Sequence, residues 1–287
     1  MSHSTENPAT GAASGGAEKV VEISSERVPA LAFSDLLEGL SKPQLWLNMA
    51  WHDIRQRFRR SILGPFWITL SMGIMVGALS LVFGSLFGHQ TNEFIPYLAT
   101  GLIFWNLITS TVNESGDAFV SAEGYVRNVP MPVSVPLYRV LTRNAILWAH
   151  NMVIYVLVAL IFVREPTFNY LLFIPGFLLL AANLVWVSTI AAVISTRYRD
   201  IPQLTSNLLQ VVFFVTPIFW SADQFPERPI FVSLNPAYHL LELARAPLLG
   251  HQPATVSWIV GIAMLPLGFA AAAYLYRRAY PRIAYWV

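Results

Sequence analysis

The residues of this sequence that could carry acid–base or metal chemistry are few, and most lie outside its long apolar runs. Glu114 and Asp117 follow one such run, and His150 lies within another. Glu242 and Arg245 stand three residues apart in a shorter segment, where they can pair on one helix face. A membrane protein that handles protons, metals or charged substrates needs ionisable groups within the hydrocarbon layer. A lone His150 is more typical of a hydrogen-bonded structural residue, and Glu114 with Asp117 of a helix end that water reaches.

Motifs for covalent or nucleotide chemistry are missing from the sequence. The chain has no cysteine, which excludes disulfides, thiolate catalysis and cysteine-ligated metals. It has no His-Glu-x-x-His zinc motif and no set of paired carboxylates. Its only lysines, Lys19 and Lys42, do not follow the glycine run of a phosphate loop. We therefore expect no enzymatic activity, no bound cofactor and no metal on this chain, and any ATP that drives it must bind to another polypeptide.

Aromatic residues offer contact with a substrate without charge. They lie at the start of the first apolar run, within the second and along the fifth: Trp67, Phe104, Trp105, Phe213, Phe214, Phe219 and Trp220. Aromatic faces can stack on the apolar C–H faces of sugar rings, so a pathway lined in this way would let a neutral polymer slide. We predict that these residues form such a transport pathway. The alternative for each is ordinary packing or a place in an interfacial aromatic belt.

The composition predicts an all-α integral membrane protein. Of the 287 residues, 55% are hydrophobic and only 12% are charged, whereas soluble domains carry about 25% charged residues. Apolar runs of about 20 residues are long enough to cross a hydrocarbon layer of roughly 30 Å as helices. We predict six spans within a transmembrane domain of residues 64–278, near 66–87, 94–112, 144–163, 170–195, 204–220 and 255–276.

The basic residues predict the orientation. Six spans place both termini on one side, and of the 18 Lys and Arg residues only Arg164, Arg228 and Arg245 would then lie on the other. Positive charge is concentrated in cytoplasmic loops. We therefore expect both termini in the cytoplasm, with a disordered tail at 1–33 and a short C-terminal tail at 279–287.

A basic amphipathic helix is predicted before the first span, in the region 34–63. Leu47, Trp51, Ile54 and Phe58 are spaced to share one face, and arginines occupy the rest. An apolar face with tryptophan and a basic remainder is typical of a helix lying in the membrane interface. Gly64 and Pro65 then form a predicted hinge, because proline suits the first turn of a new helix.

The segment 121–132, between spans two and three, is short, predicted to be cytoplasmic and bounded by glycine and prolines. It can form a short helix with Tyr125, Val126 and Val129 exposed. Apolar residues presented to the cytoplasm would be a docking surface for a partner. The alternative is a plain loop.

A helix too short to span is predicted before the last span. Asn235 suits its N-cap, Pro236 its first position and Gly250 its end. About 14 residues cannot cross a bilayer, so we interpret the helix as re-entrant or interfacial.

The sequence from about residue 45 onward resembles the membrane subunits of type-2 ABC exporters, in the branch that exports lipid-linked polysaccharide such as O-antigen. The resemblance is carried in order by the motifs at 60–67 (Arg-Ser-Ile-Leu-Gly-Pro-Phe-Trp), 126–130 (Val-Arg-Asn-Val-Pro), 197–201 (Arg-Tyr-Arg-Asp-Ile), 216–218 (Thr-Pro-Ile) and 234–236 (Leu-Asn-Pro), followed by Arg245. It implies a bacterial inner-membrane protein that works as two copies with two ABC ATPase subunits. ATP and Mg would bind to those subunits, and a lipid-linked glycan would pass through a channel between the two copies.

The resemblance also implies roles for particular residues. Partners would be a second copy, the ATPase subunits, the glycan and membrane lipids, with no nucleic acid. The segment Glu123, Gly124, Tyr125, Val126, Arg127, Asn128 and Val129 would couple the chain to the ATPase. Re-entrant helices near 224–250, with Asn235, Pro236, Glu242 and Arg245, would form an outer gate.

Three other functions remain open. The first is a type-2 ABC exporter of a small drug or lipid, the second an exporter of a capsule or teichoic-acid-type polymer, and the third a membrane-embedded glycan-processing enzyme. The aromatic residues and the 63–67 motif favour a polymer over a drug. The lack of buried carboxylates argues against the enzyme.

Overall fold

The structure, a computed structural model, describes residues 28–87, 91–162, 167–220 and 230–287, and within them every regular element is a helix. The helices are α1 (Val28–Ser41), α2 (Pro43–Arg57), α3 (Phe66–Phe87), α4 (Thr91–Gly116), α5 (Glu123–Asn128), α6 (Val135–Phe162), α7 (Phe173–Arg197), α8 (Ile201–Val215), α9 (Ile230–Ser233), α10 (Pro236–Leu248) and α11 (Thr255–Trp286). Single 3₁₀ turns at Val120–Ala122 and Phe168–Leu172 precede α5 and α7. The predicted all-α class is confirmed for the part of the chain that the structure describes.

Five of the described helices are long and apolar enough to cross a membrane: α3, α4, α6, α7 with its preceding turn, and α11. Helix α8, which was predicted as the fifth span and expected to run to Trp220, has 15 residues and ends at Val215. Its length of about 22 Å is less than a hydrocarbon layer of roughly 30 Å. The helix stops because Thr216 precedes Pro217 and takes an extended backbone, with φ −86° and ψ 130°.

Helices extend into both segments that were predicted as tails. Helix α1 begins at Val28, inside the predicted tail 1–33, and residues 1–27 lie outside the described ones. The buried Asp35 carboxylate accepts hydrogen bonds from the backbone N–H groups of Val133 and Ser134, at 2.7 and 2.9 Å, and from the Tyr276 hydroxyl, at 2.7 Å. These bonds attach α1 to the start of α6 and to α11. Helix α11 itself continues to Trp286, within the predicted tail at 279–287, and Ile283 is buried there.

The predicted interface helix corresponds to α2, which packs on α6. Its predicted apolar face is divided, because Ile54 is buried while Leu47 and Trp51 are exposed. The chain then turns at the predicted hinge, where Gly64 has a positive φ of 56° and donates its N–H to the Ser61 hydroxyl oxygen at 3.1 Å. Gly64 and Pro65 therefore lie between α2 and α3, as the sequence predicts.

Helix α4 is the centre of the fold and packs against α3, α6, α7, α8 and α10. Helix α10 in turn approaches α7 backbone to backbone. A Cβ added at Gly176 would lie 2.1 Å from the Leu243 carbonyl oxygen, so a side chain there would push the two helices apart. The short helix α10 is therefore held in the interior by long helices on several sides.

Candidate functional site

The short helix α10 forms as the sequence predicts. The Asn235 side-chain oxygen accepts from the Ala237 N–H at 3.0 Å, which caps the helix, and Pro236 occupies the first position. The Asn235 amide also donates to the Thr216 hydroxyl at 2.8 Å, just after α8 ends. Gly250, with φ 82°, follows the end of the helix. The predicted cap therefore joins α10 to the end of α8 as well.

Arg245, the predicted gate residue, is 2% exposed and lies at the contact of α10, α8 and α4. Its guanidinium pairs with the Glu242 carboxylate at 2.6 Å, as the spacing predicts. It also donates to the Pro217 carbonyl oxygen at 2.6 Å and lies 4.1 Å from the centre of the Tyr97 ring. The Tyr97 hydroxyl donates to the same carbonyl at 2.9 Å. The buried cation thus has an anion, a carbonyl and an aromatic face as partners, which is the condition for keeping it buried.

A groove of about 670 Å³ opens between α3, α4, α6 and α8. Its lining consists of Trp67, Ile68, Ser71, Met72, Met75, Leu102, Trp105, Asn106, Thr109, Asn113, Asn151, Ser206, Leu209, Gln210 and Phe213. These residues include no acidic or basic side chain. The structure brings three of the predicted pathway aromatics together in this groove: Trp67, Trp105 and Phe213. Trp105 and Phe213 are in contact, with ring centroids 5.8 Å apart.

The other predicted pathway aromatics are not in the lining of this groove. Phe104 is fully buried against the rings of Trp148, Phe173 and Phe177. Adjacent residues of a helix point about 100° apart, so Phe104 and Trp105 face different neighbours.

At the end of α8, Phe219 packs on Phe83 and Phe213, with ring centroids 5.0 and 5.7 Å away. Phe214 is exposed, and the Trp220 ring lies 6.4 Å from that of Phe231. This second aromatic group lies beside the groove rather than in its lining.

The segment predicted to couple to a partner forms helix α5, whose surface is partly apolar. Tyr125 is 49% exposed and Val129 44%, whereas Val126 is half-buried against a core that includes Phe119. Val126 was expected to be exposed. It lies instead on the face of α5 that rests on the protein, so only the other two apolar residues remain free for contact.

Polar contacts stabilise α5 internally and attach it to α11. Arg127 pairs with Glu123 at 3.0 Å and donates to the Val287 carbonyl oxygen at the end of α11. The Asn128 amide donates to the Gly124 carbonyl oxygen at 3.1 Å. The short helix is therefore fixed to the long helix α11.

An ion-pair network joins α2, α4 and α6 near α5. Arg143 pairs with Asp53 at 2.6 Å and with Glu114 at 2.9 Å. Arg139 pairs with Asp53 at 3.3 Å and donates to the Ser121 hydroxyl, two residues before α5, at 2.7 Å. The sequence alone suggested that Glu114 lies at a solvated helix end. The structure shows its carboxylate in an ion pair, because the arginines of α6 lie beside that end of α4. The spacing of four between Arg139 and Arg143 was the sequence signal that could have predicted these ion pairs.

His150 forms the structural hydrogen bond expected of a lone histidine. Its Nδ1 lies 2.8 Å from the Ile146 carbonyl oxygen, one turn earlier in α6.

Comparison with known proteins identifies the family. The model of the ABC-2 type transporter family matches residues 44–249, which is more than half of the chain. The chain belongs to the ABC-2 type transporter family. It is therefore a multi-pass membrane permease of this family, and both the groove and α10 lie in the matched region.

Relatives of this ABC-2 transporter chain are named for one kind of cargo. It is 22% identical over 211 residues to "O-antigen export system permease protein RfbA" of Myxococcus xanthus, covering 72% of this chain and 81% of the relative. It is 23% identical over 230 residues to a protein of the same name from Klebsiella pneumoniae, covering 76% and 86%. The resemblance inferred from the sequence motifs is confirmed.

Proposed function

We propose that this chain is the membrane subunit of an ATP-driven exporter that moves lipid-linked, O-antigen-like polysaccharide from the cytoplasm across the bacterial inner membrane. The observation that carries the proposal is the groove, which combines Trp67, Trp105 and Phe213 with neutral polar residues and has no charge in its lining. Such a surface offers a sugar chain contact area and weak hydrogen bonds. The names of the relatives support the same cargo.

The pathway would lie between two copies of the chain. No residue of α8 is buried in one copy, and Leu204, Leu208 and Val211 form an exposed face on it. A second copy packed at α3 and α8 would close the open groove into a channel. In that setting α8 and the residues after it would complete a sixth span, and α10 would be re-entrant and form the outer gate.

The ATPase would bind at α5, where Tyr125 and Val129 are exposed, and would hold ATP and Mg. Both termini would then be cytoplasmic, on the same side as α5. The network of Asp53, Glu114, Arg139 and Arg143 lies between α5 and the groove. It would carry movement of α5 to α4, where Asn113 lines the groove one residue before Glu114.

The complex of this chain with its ATPase subunit, reconstituted in lipid nanodiscs, tests the function. We expect lipid-linked glycan to stimulate ATP hydrolysis, and hydrophobic drugs to have no effect. The reverse response would identify a drug or lipid exporter. Stimulation only by anionic polymers would favour a capsule or teichoic-acid-type exporter, and a chemically altered glycan formed without ATP would identify a processing enzyme.

Alanine at Trp67 or Phe213 is expected to reduce export without loss of assembly. Both residues line the open groove and neither is buried, so their truncation removes sugar contacts and leaves little new cavity. Trp105 is 7% exposed and packs in the core, so Trp105→Ala should lower the yield as well. Phe104→Ala is the matched control, because truncating a fully buried aromatic costs about 3–5 kcal/mol and should lower the yield of assembled complex. Complex yield and surface polysaccharide are measured together. The pathway is wrong if every groove variant that loses export also loses assembly.

A further inference from the structure

Two amides in the groove have carbonyl oxygens with no partner. The Asn151 side chain is fully buried, and its amide nitrogen donates to the Asn106 oxygen at 3.3 Å, but its own oxygen has no hydrogen bond. The Asn113 oxygen, also shielded from solvent, has no partner either. A buried polar atom without a partner is costly, so such atoms need a specific explanation.

The buried Asn183 amide, which lies outside the groove, is fully paired within the protein. The Asn183 amide donates to the carbonyl oxygens of Leu179 and Gly261, at 2.8 and 3.1 Å, and its oxygen accepts from the Trp186 indole at 2.9 Å. This amide, which joins α7 to α11, is saturated. Among the described residues, the buried amide oxygens without a partner are those of Asn113 and Asn151, and both side chains line the groove, whereas other buried polar atoms without a partner, such as the Ser188 hydroxyl and the Trp148 indole N–H, do not line it.

The groove amides form a row across three helices. Asn106, Thr109 and Asn113 follow one another along α4 at spacings of three and four, which places them on one face. Asn151 stands opposite on α6, and Gln210 lies on α8. An amide offers both an acceptor and donors, as a sugar hydroxyl does, so each can bind a hydroxyl group in either direction.

We infer that Asn113 and Asn151, with Asn106 and Gln210, bind the hydroxyl groups of the sugar units as the chain passes between the groove aromatics. The inference rests on the proposed function and specifies it: the ligand is neutral and polyhydroxylated. An apolar drug would leave the two amide oxygens unpaired. An anionic polymer would find no basic side chain among the lining residues.

Neutral hydrogen bonds also suit a moving polymer. A net hydrogen bond between uncharged groups changes affinity by no more than about tenfold, so no single sugar unit would be trapped. A row of them, together with aromatic faces, would orient each unit without a deep site. Amide and aromatic contacts would then act on different faces of the same sugar.

The test uses the complex with its ATPase in nanodiscs. The probe is the lipid-linked glycan extracted from the strain that carries the gene, and its carrier lipid after removal of the sugar is the control. We expect only the glycosylated form to stimulate ATP hydrolysis. Asn113→Leu and Asn151→Leu should each raise the half-saturating glycan concentration by about tenfold while the complex still assembles. Asn183→Leu is the matched control and should lose assembly.

The outcomes separate this inference from the function. If the wild-type complex responds to the glycan and both leucine variants match it, the amides do not bind sugar, but the exporter assignment stands. If the wild-type complex does not distinguish glycan from carrier, the proposed function fails and the inference fails with it. Asn113→Ala and Asn151→Ala exclude an effect of leucine bulk. Loss of assembly in these alanine variants would show that the amides hold helices together, which would overturn the inference.

Discussion

Replacement of Arg245 by alanine is expected to cause severe loss of the assembled protein. The guanidinium is buried, and its removal leaves the Glu242 carboxylate without its partner and the Pro217 carbonyl oxygen with the Tyr97 hydroxyl alone. Removing one member of a buried ion pair typically costs about 3–5 kcal/mol. Since the same side chain joins α10 to the end of α8, both helices should loosen together. Yield and melting temperature of the purified complex measure the effect.

Three control variants test whether the loss comes from the buried ion pair. Arg277→Ala removes an exposed arginine of α11 and should leave the yield unchanged. Arg245→Lys should remain impaired, because an ammonium group cannot reproduce the forked contacts. Arg245→Leu combined with Glu242→Leu should recover much of the loss, because replacing a whole buried pair by apolar residues is often neutral. An Arg245→Ala complex with normal yield but leakage of small solutes would instead favour a gating role without a stabilising one.

Local sequence signals were sufficient to predict α10. The Asn-Pro start, the glycine after the end and the Glu-Arg spacing of three each act within a few residues, and the helix has the predicted cap and ion pair. The contacts of Arg245 with Tyr97 and Pro217 could not be predicted in this way. They depend on how helices distant in sequence pack together.

The groove, too, was only partly predicted, because its lining depends on how helices distant in sequence pack together. Residue type identified aromatics in the apolar runs, but only packing determines that Trp105 lines the groove while the adjacent Phe104 faces Trp148 and Phe177. The length of α8 was misjudged because hydropathy continues past Thr216, whereas the backbone before Pro217 leaves the helix. Glu114 was misjudged because its partners arrive from α6.

An acidic residue at position 125 or 129 is expected to release the ATPase. Two exposed apolar residues mark this segment: Tyr125 in α5 and Val129 directly after it. The segment is held to the protein by Arg127 and Val126. In Tyr125→Asp or Val129→Asp, docking would bury a carboxylate without a partner. An uncompensated charge of this kind costs about 3 kcal/mol or more, which corresponds to a loss of roughly a hundredfold in affinity.

Apolar replacements at the same positions provide the control for this change. Tyr125→Phe and Val129→Ile keep the surface uncharged, so the ATPase should co-purify with both as with the wild type. The membrane chain should be obtained in equal yield from all four variants, because neither side chain is buried in it. Co-purification of the ATPase and export of polysaccharide are measured in parallel. If both acidic variants retain the ATPase and export at wild-type levels, α5 is not the docking helix, and contact must be sought elsewhere on the same end of the molecule.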